Sequence, residues 1–209
     1  MTFLVMIVSD KLDPEFKGHI QILKETMKTL NPDYACITSV ESSEYDSIID
    51  FKYKVVNPKK QLSKVCDFLS TTEYNWYMKI RPEVKLLQGI DFIFNCIPEA
   101  MNARARNYSG PRSIPFGGSV GGEGIWDYLK TCYSKSDSER IELDDHLFIF
   151  DSSVAKKLVP FEYTGVIENE GTHTRYFQSK EIPLNVIGID LLFVYDRNRG
   201  NARSGHINL

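Results

Sequence analysis

The run Phe3-Leu4-Val5-Met6-Ile7-Val8 is the feature that most constrains how this chain can fold. An unbroken apolar stretch of this kind has no polar face to offer water, so it reads as a strand covered on both sides. It ends abruptly in the polar Ser9-Asp10-Lys11. Between Glu15 and Leu30, apolar Phe16, Ile20, Leu23, Met27 and Leu30 recur at helical spacing, and Asn31-Pro32-Asp33 stops that helix. Tyr34 to Val40 is a second short strand. Strand, helix and strand in this order favour a parallel, right-handed unit.

The pattern repeats. Phe51, Tyr53, Val55 and Val56 mark a third strand, Asn57-Pro58 caps a helix, and Leu62, Val65, Cys66 and Leu69 form that helix's inner face. Trp76, Tyr77, Met78 and Ile80 then form a buried strand that Pro82 ends, because proline cannot donate to a sheet ladder. Later expectations are a short helix between Ile90 and Ala100, a strand from Ala103 to Tyr108 and a helix from Trp126 to Tyr133. Leu147 to Phe150 is expected as a strand, followed by a helix capped at Asp151-Ser152-Ser153 and running to Leu158. Glu168 to Thr174 reads as a polar loop before a turn of helix at Arg175-Tyr176-Phe177, and Pro183 to Val194 as a strand or strand pair. No repeat or linker breaks the series, so one α/β domain spanning 1–209 is expected, Rossmann-like, with a mixed, mostly parallel central sheet flanked by helices.

Several classes are disfavoured. With 25 basic against 28 acidic residues the net charge is -3, so there is no global basic field for nucleic acid. Cys36, Cys66, Cys96 and Cys132 form no CxxC pair and match neither a zinc module nor a disulfide scaffold, which points to reduced, mostly buried thiols. The N-terminal apolar run is too short for a signal peptide or a membrane span, and a soluble, cytoplasmic protein is expected.

Three groups can carry chemistry. Lys79, Arg81 and Glu83 alternate with apolar neighbours where the fourth strand leaves the sheet, and period-2 geometry puts them on one face. Open α/β sheets bind ligands at such ends, and a carboxylate among cations suits a nucleotide-sugar diphosphate with a divalent ion. A solvated strand end with an internal salt bridge is the plain alternative. Asp144-Asp145-His146 precede the apolar Leu147 to Phe150 and suit a general base, an acceptor binder or a metal ligand, against simple turn capping. The basic tail carries Arg197, Arg199 and Arg203, able to fold over an anion, with His206 as a late metal ligand; a solvated terminus is the alternative.

The glycine-rich Gly117-Gly118-Ser119-Val120-Gly121-Gly122 fits neither a dinucleotide fingerprint nor a Walker loop and reads as a flexible loop near the site. His19 is expected to be structural, on a surface helix, and His173 to lie in a polar loop that could touch an acceptor sugar.

Asn57-Pro58-Lys59-Lys60-Gln61-Leu62-Ser63, followed by Tyr77 to Glu83, resembles nucleotide-sugar glycosyltransferases of the GT-A fold. More narrowly it is similar to the polysaccharide-building group whose central strand ends in Lys-x-Arg-Ser/Pro-Asp, with Glu83 in place of the aspartate. Asp145 to Phe150 is similar to that group's acid–aromatic strand, and Val194-Tyr195-Asp196-Arg197 to its final strand and arginine. The whole chain also resembles the N-terminal glycosyltransferase domains of chlorella-virus multidomain proteins, which implies a hexosyl- or rhamnosyltransferase acting in the host cytoplasm. One departure stands out: many sugar transferases carry two acids two positions apart here, whereas this chain has Glu83 alone, with Arg81 where the other would stand.

The resemblance implies a UDP-sugar donor, Mn²⁺ or Mg²⁺ at Glu83, and a glycan acceptor near Asp145. Residues 1–100 would then be the nucleotide-binding half and 101–209 the acceptor-binding half with the basic tail. Ser9, Asp10 and Thr38 would bound base and ribose, Lys60, Lys79, Arg81 and Arg197 would offset phosphate charge, and Asp145 would orient or deprotonate the acceptor hydroxyl. The competing readings are a non-catalytic nucleotide-sugar- or glycan-binding module of the same fold, and a nucleotidyltransferase. The second is disfavoured because Ser9-Asp10-Lys11-Leu12-Asp13-Pro14 is no glycine-rich basic loop.

Overall fold

The computed structural model describes residues 2–10, 12–55, 61–107, 141–161, 170–189 and 191–193. The first strand, β1 (Phe3–Val8), is buried at every position, as its composition requires. It pairs in parallel with β2 (Asp33–Thr38) on one side and β4 (Trp76–Ile80) on the other, and β2 pairs in parallel with β3 (Phe51–Lys54). β7 (Ile141–Asp151) lies antiparallel to β4 and to β6 (Met101–Asn107), and β6 pairs in parallel with β8 (Leu184–Val186). The resulting seven-stranded order is β3-β2-β1-β4-β7-β6-β8. Six strands share one direction and β7 opposes them, giving the mixed, mostly parallel sheet expected.

Helices cover both faces. On one, α1 (Lys17–Met27) places Ile20, Leu23 and Met27 against Val5, Ile7, Met78 and Ile80. Asn31 takes a left-handed conformation (φ 46°) just after that helix and its short 3-10 extension, a common stop. On the other face, α2 (Gln61–Leu69), α3 (Ser152–Leu158) and α4 (Glu170–Ser179) pack Leu62, Val65, Val154, Leu158 and Phe177 against Leu4, Met6, Tyr77, Phe148 and Phe150. Each such side chain fully withdrawn from water contributes about 1.5–3 kcal/mol. Asp151 caps α3 as expected, its Oδ1 accepting from the Val154 N–H at 3.1 Å. Among the described residues no helix is long and apolar enough to cross a membrane.

Three local expectations are corrected, and the strand pair expected after Pro183 is found, divided between two sheets. The segment expected as a short helix is a 3-10 stretch, Ile90–Asn95. Val84–Leu86 is a strand, β5, that pairs with β9 (Leu191–Phe193) in a separate two-stranded sheet, so the apolar run after Pro183 divides between two sheets. β7 begins well before Leu147 and takes Asp144-Asp145-His146 into its length. The polar stretch around His173 is helical, because Phe177 packs into the core and Tyr176 beside it holds the turn in place.

The path of the chain defines a crevice. From β1 it moves outward to β2 and β3, then returns to the other side of β1 as β4, so the connections after β1 and β4 diverge. That switch point is where open α/β sheets bind ligands.

A candidate active site at the switch point of the sheet

Asp10 follows β1 directly and ties it to β2. Its Oδ1 accepts from the Ser39 N–H at 2.7 Å and the Ser39 hydroxyl at 2.6 Å, with the Thr38 hydroxyl at 3.5 Å. Its Oδ2 pairs with the ammonium of Lys64. Burial alone would raise the Asp10 pKa, but Lys64 and Ser39 outweigh it and hold the carboxyl below its usual range. Ser9 is buried, its N–H on the Ile37 carbonyl at 3.2 Å. Ser9, Asp10 and Thr38 thus meet at one corner of the crevice. Lys64 escaped sequence reasoning; its signal is a lysine on the apolar side of α2, whose side chain is 3% exposed and therefore requires an acid.

β4 ends at Ile80, and the Val84 N–H bonds the Arg81 carbonyl at 3.1 Å to close a turn. Strand alternation therefore stops before it can align Lys79, Arg81 and Glu83. The turn instead folds Glu83 back onto Arg81, whose Nε donates to Glu83 Oε1 at 2.6 Å while Nη2 donates to the same oxygen. Arg81 Nη1 stands 3.7 Å from Asp145 Oδ2. His19 supports the turn from α1, its Nδ1 3.1 Å from the Pro82 carbonyl.

Lys79 lies beneath this group rather than in the crevice. It is 1% exposed, its ammonium donates to the main-chain carbonyl of Asp145 and lies 5.3 Å from the centre of the Phe148 ring. Burial pushes its pKa down to about 8, against the pull of Asp145.

Asp144, Asp145 and His146 sit in a bulge. Ala103 pairs with Phe148 but Ala105 pairs with Leu143, so residues 144–147 of β7 face Arg104 alone. Bulges of this kind re-aim side chains beside functional sites. Arg104 donates to Asp144 Oδ2 through Nε at 2.9 Å and through Nη2, while Asp144 Oδ1 accepts from the His146 N–H at 3.1 Å and pairs with its Nδ1. Asp145 is turned toward Arg81. Its burial favours the neutral acid, but Lys79, His146 and Arg81 together keep the carboxyl below its ordinary value.

Asp144, Asp145 and His146 each offer a ligand atom, all within 4.8 Å of one another, and could hold a metal ion. Asp144 already has both oxygens engaged. The oxygens whose chemistry suits a hard divalent cation are Asp145 Oδ1 and Glu83 Oε2, both buried and without a hydrogen-bond partner among the described residues. By donor chemistry both oxygens fit such a cation, and both carboxylates face Arg81.

Lys60, Arg197 and His206 lie outside the described residues, as do Arg199, Arg203 and the glycine-rich stretch. His173 is buried on α4, edge-on to Phe148 at 6.1 Å, a core position rather than an acceptor contact.

Neither a family model nor a curated protein matches the sequence. Solved structures do match. The galactosyltransferase LgtC, in complex with donor and acceptor sugar analogues, superposes with a TM-score of 0.54 at 7% identity, over 89% of this chain and 73% of that one. A putative glucose-1-phosphate thymidylyltransferase from Bacillus anthracis, in complex with sucrose, superposes with a TM-score of 0.53 at 13% identity, over 100% of this chain and 97% of that one. At such identities the likeness establishes the GT-A-like α/β fold and nothing finer.

Proposed function

We infer that the protein is a glycosyltransferase that moves a hexose or rhamnose from a UDP-sugar donor to a glycan acceptor, assisted by Mn²⁺ or Mg²⁺. The observation that carries this reading is the Glu83–Arg81–Asp145 group at the sheet's switch point, with one open buried oxygen on each carboxylate. LgtC, a galactosyltransferase, has the same fold, and the site has the charges that sugar transfer from a diphosphate requires.

Residues 1–100 bind the nucleotide, with base and ribose against the corner made by Ser9, Asp10 and Thr38. Lys60 from this half and Arg197 from the other are further phosphate contacts, while residues 101–209 bind the acceptor and His206 is a late metal ligand. Arg81 presents a planar fork of donors suited to phosphate oxygens. Glu83 would hold the cation; when bound, that ion offsets charge on the departing diphosphate. Asp145, kept ionised, orients the acceptor hydroxyl for attack. Lys79 fixes the main chain of Asp145 from behind.

Thermal melting with a panel of nucleotides and nucleotide sugars, with and without Mn²⁺, tests the reading. A rise with UDP and UDP-sugars but not ATP or NAD supports it. No rise with any of them overturns it. Binding without donor cleavage or transfer would mark a non-catalytic module instead, the reading that the single acid at Glu83 favours.

A further inference from the structure

Glu83 and Asp145 share more than a location. Arg81 contacts both, giving Nε and Nη2 to Glu83 Oε1 and holding Nη1 3.7 Å from Asp145 Oδ2. Each carboxylate therefore commits one oxygen to the guanidinium, and the other oxygen is buried with no hydrogen-bond partner among the described residues. Among the described residues, the charges that meet at the group are Arg81 and Lys79 against Glu83 and Asp145, while Asp144 is separately paired with Arg104 and His146. A pair of bare carboxylates attracts a divalent cation strongly. This pair is already neutralised from within, and a metal arriving alone would meet the fixed charge of the guanidinium at close range.

We propose that Arg81 is the resident counter-cation of the Glu83–Asp145 pair and sets the order of binding, a diphosphate first and the divalent cation second. A diphosphate gives the guanidinium a better bidentate partner than the single Glu83 oxygen it shares, and it draws Arg81 off the carboxylates. Glu83 and Asp145 then regain the negative charge that holds a metal. The inference deepens the proposed function and rests on it for the identity of the anion; the antagonism between Arg81 and the metal rests on the geometry alone.

Two measurements decide it. The first is UDP binding to the wild-type protein in excess chelator, by calorimetry: binding is expected without any metal, and binding that requires Mn²⁺ overturns the order. The second is Mn²⁺ binding in the absence of nucleotide, by electron paramagnetic resonance, for wild type and Arg81→Gln. Removing the guanidinium is expected to tighten Mn²⁺ at least tenfold, and equal affinity overturns the proposal. Arg81→Lys, which keeps the charge but cannot span both carboxylates, is expected to fall between the two. It serves as the second variant should Arg81→Gln fail to fold, and an unchanged Mn²⁺ affinity in it counts against the proposal equally. If UDP fails to bind with or without Mn²⁺, the functional reading falls, while the Mn²⁺ comparison still decides the role of Arg81.

Discussion

The ammonium of Lys79, on the central strand β4, donates to the main-chain carbonyl of Asp145, inside the bulge of β7. This bond crosses the antiparallel β4–β7 pair where the ladder gives way to the bulge, so it sets where the Asp145 side chain points. Lys79 is 1% exposed and its pKa is pushed down to about 8 by burial. A lysine whose folded pKa lies below its unfolded value of about 10.4 weakens the fold at low pH, and that penalty fades as pH rises from about 8 to about 10. Lys79→Met removes this dependence. Urea unfolding at several pH values is expected to show wild type gaining on the variant by up to about 1.4 kcal/mol per pH unit across that window. A constant difference would place the Lys79 charge elsewhere.

Lys64 is buried and depends on Asp10. Asp10→Asn leaves the Lys64 ammonium without its counter-charge, and because Asp10 is 39% exposed and water reaches the pair, about 1–3 kcal/mol is expected to be lost in chemical unfolding. The double change Asp10→Asn with Lys64→Met should cost less than Asp10→Asn alone, because no orphaned charge remains. The lowered pKa of Asp10 adds a pH signature. The stability it contributes is fully present above about pH 4 and is lost as pH falls through the folded value, so Asp10→Asn should unfold less steeply with acid.

Arg104 and Asp144 form the buried pair behind the bulge, with side chains 5% and 1% exposed. Arg104→Leu takes the guanidinium away from a buried carboxylate that keeps its His146 contacts, with an expected loss of about 3–5 kcal/mol. The same change should disturb the seat of Asp145, and a shift in its neighbours' amide resonances would report that. Full stability in Arg104→Leu would mean that the remaining partners of Asp144, His146 among them, suffice to hold its charge.

Asp145→Asn and Glu83→Ala separate two roles at the site. Asp145→Asn is expected to lower kcat for transfer about 10²–10⁴-fold while leaving UDP affinity close to wild type. Glu83→Ala is expected to abolish metal-dependent donor hydrolysis with the circular dichroism spectrum unchanged. Undiminished hydrolysis would remove Glu83 from the metal site.

Local order made much of the fold legible. The spacing of Phe16, Ile20, Leu23 and Met27 can only bury itself as a helix, and Phe3 to Val8 can only be satisfied inside a sheet covered on both faces. The bulge was not legible, since Asp144 is an unlikely strand residue until Arg104, 40 positions earlier, is known to meet it. Residues 170–179 have weak helical patterning, and their helix exists because Phe177 finds Phe148 at 5.4 Å.

By itself the sequence determined the strand–helix rhythm, the position of the switch point and the charge of the residues gathered there, because each depends on neighbours a few positions away. Tertiary structure alone decided which charges meet. Lys79 and Arg81 look equivalent in sequence, yet one is sealed beneath Asp145 and the other faces it across the crevice, because β4 ends between them and the chain turns. Asp10 finds Lys64 across 54 residues for the same reason: a buried charge is tolerable only beside its opposite, and the fold determines where that opposite is.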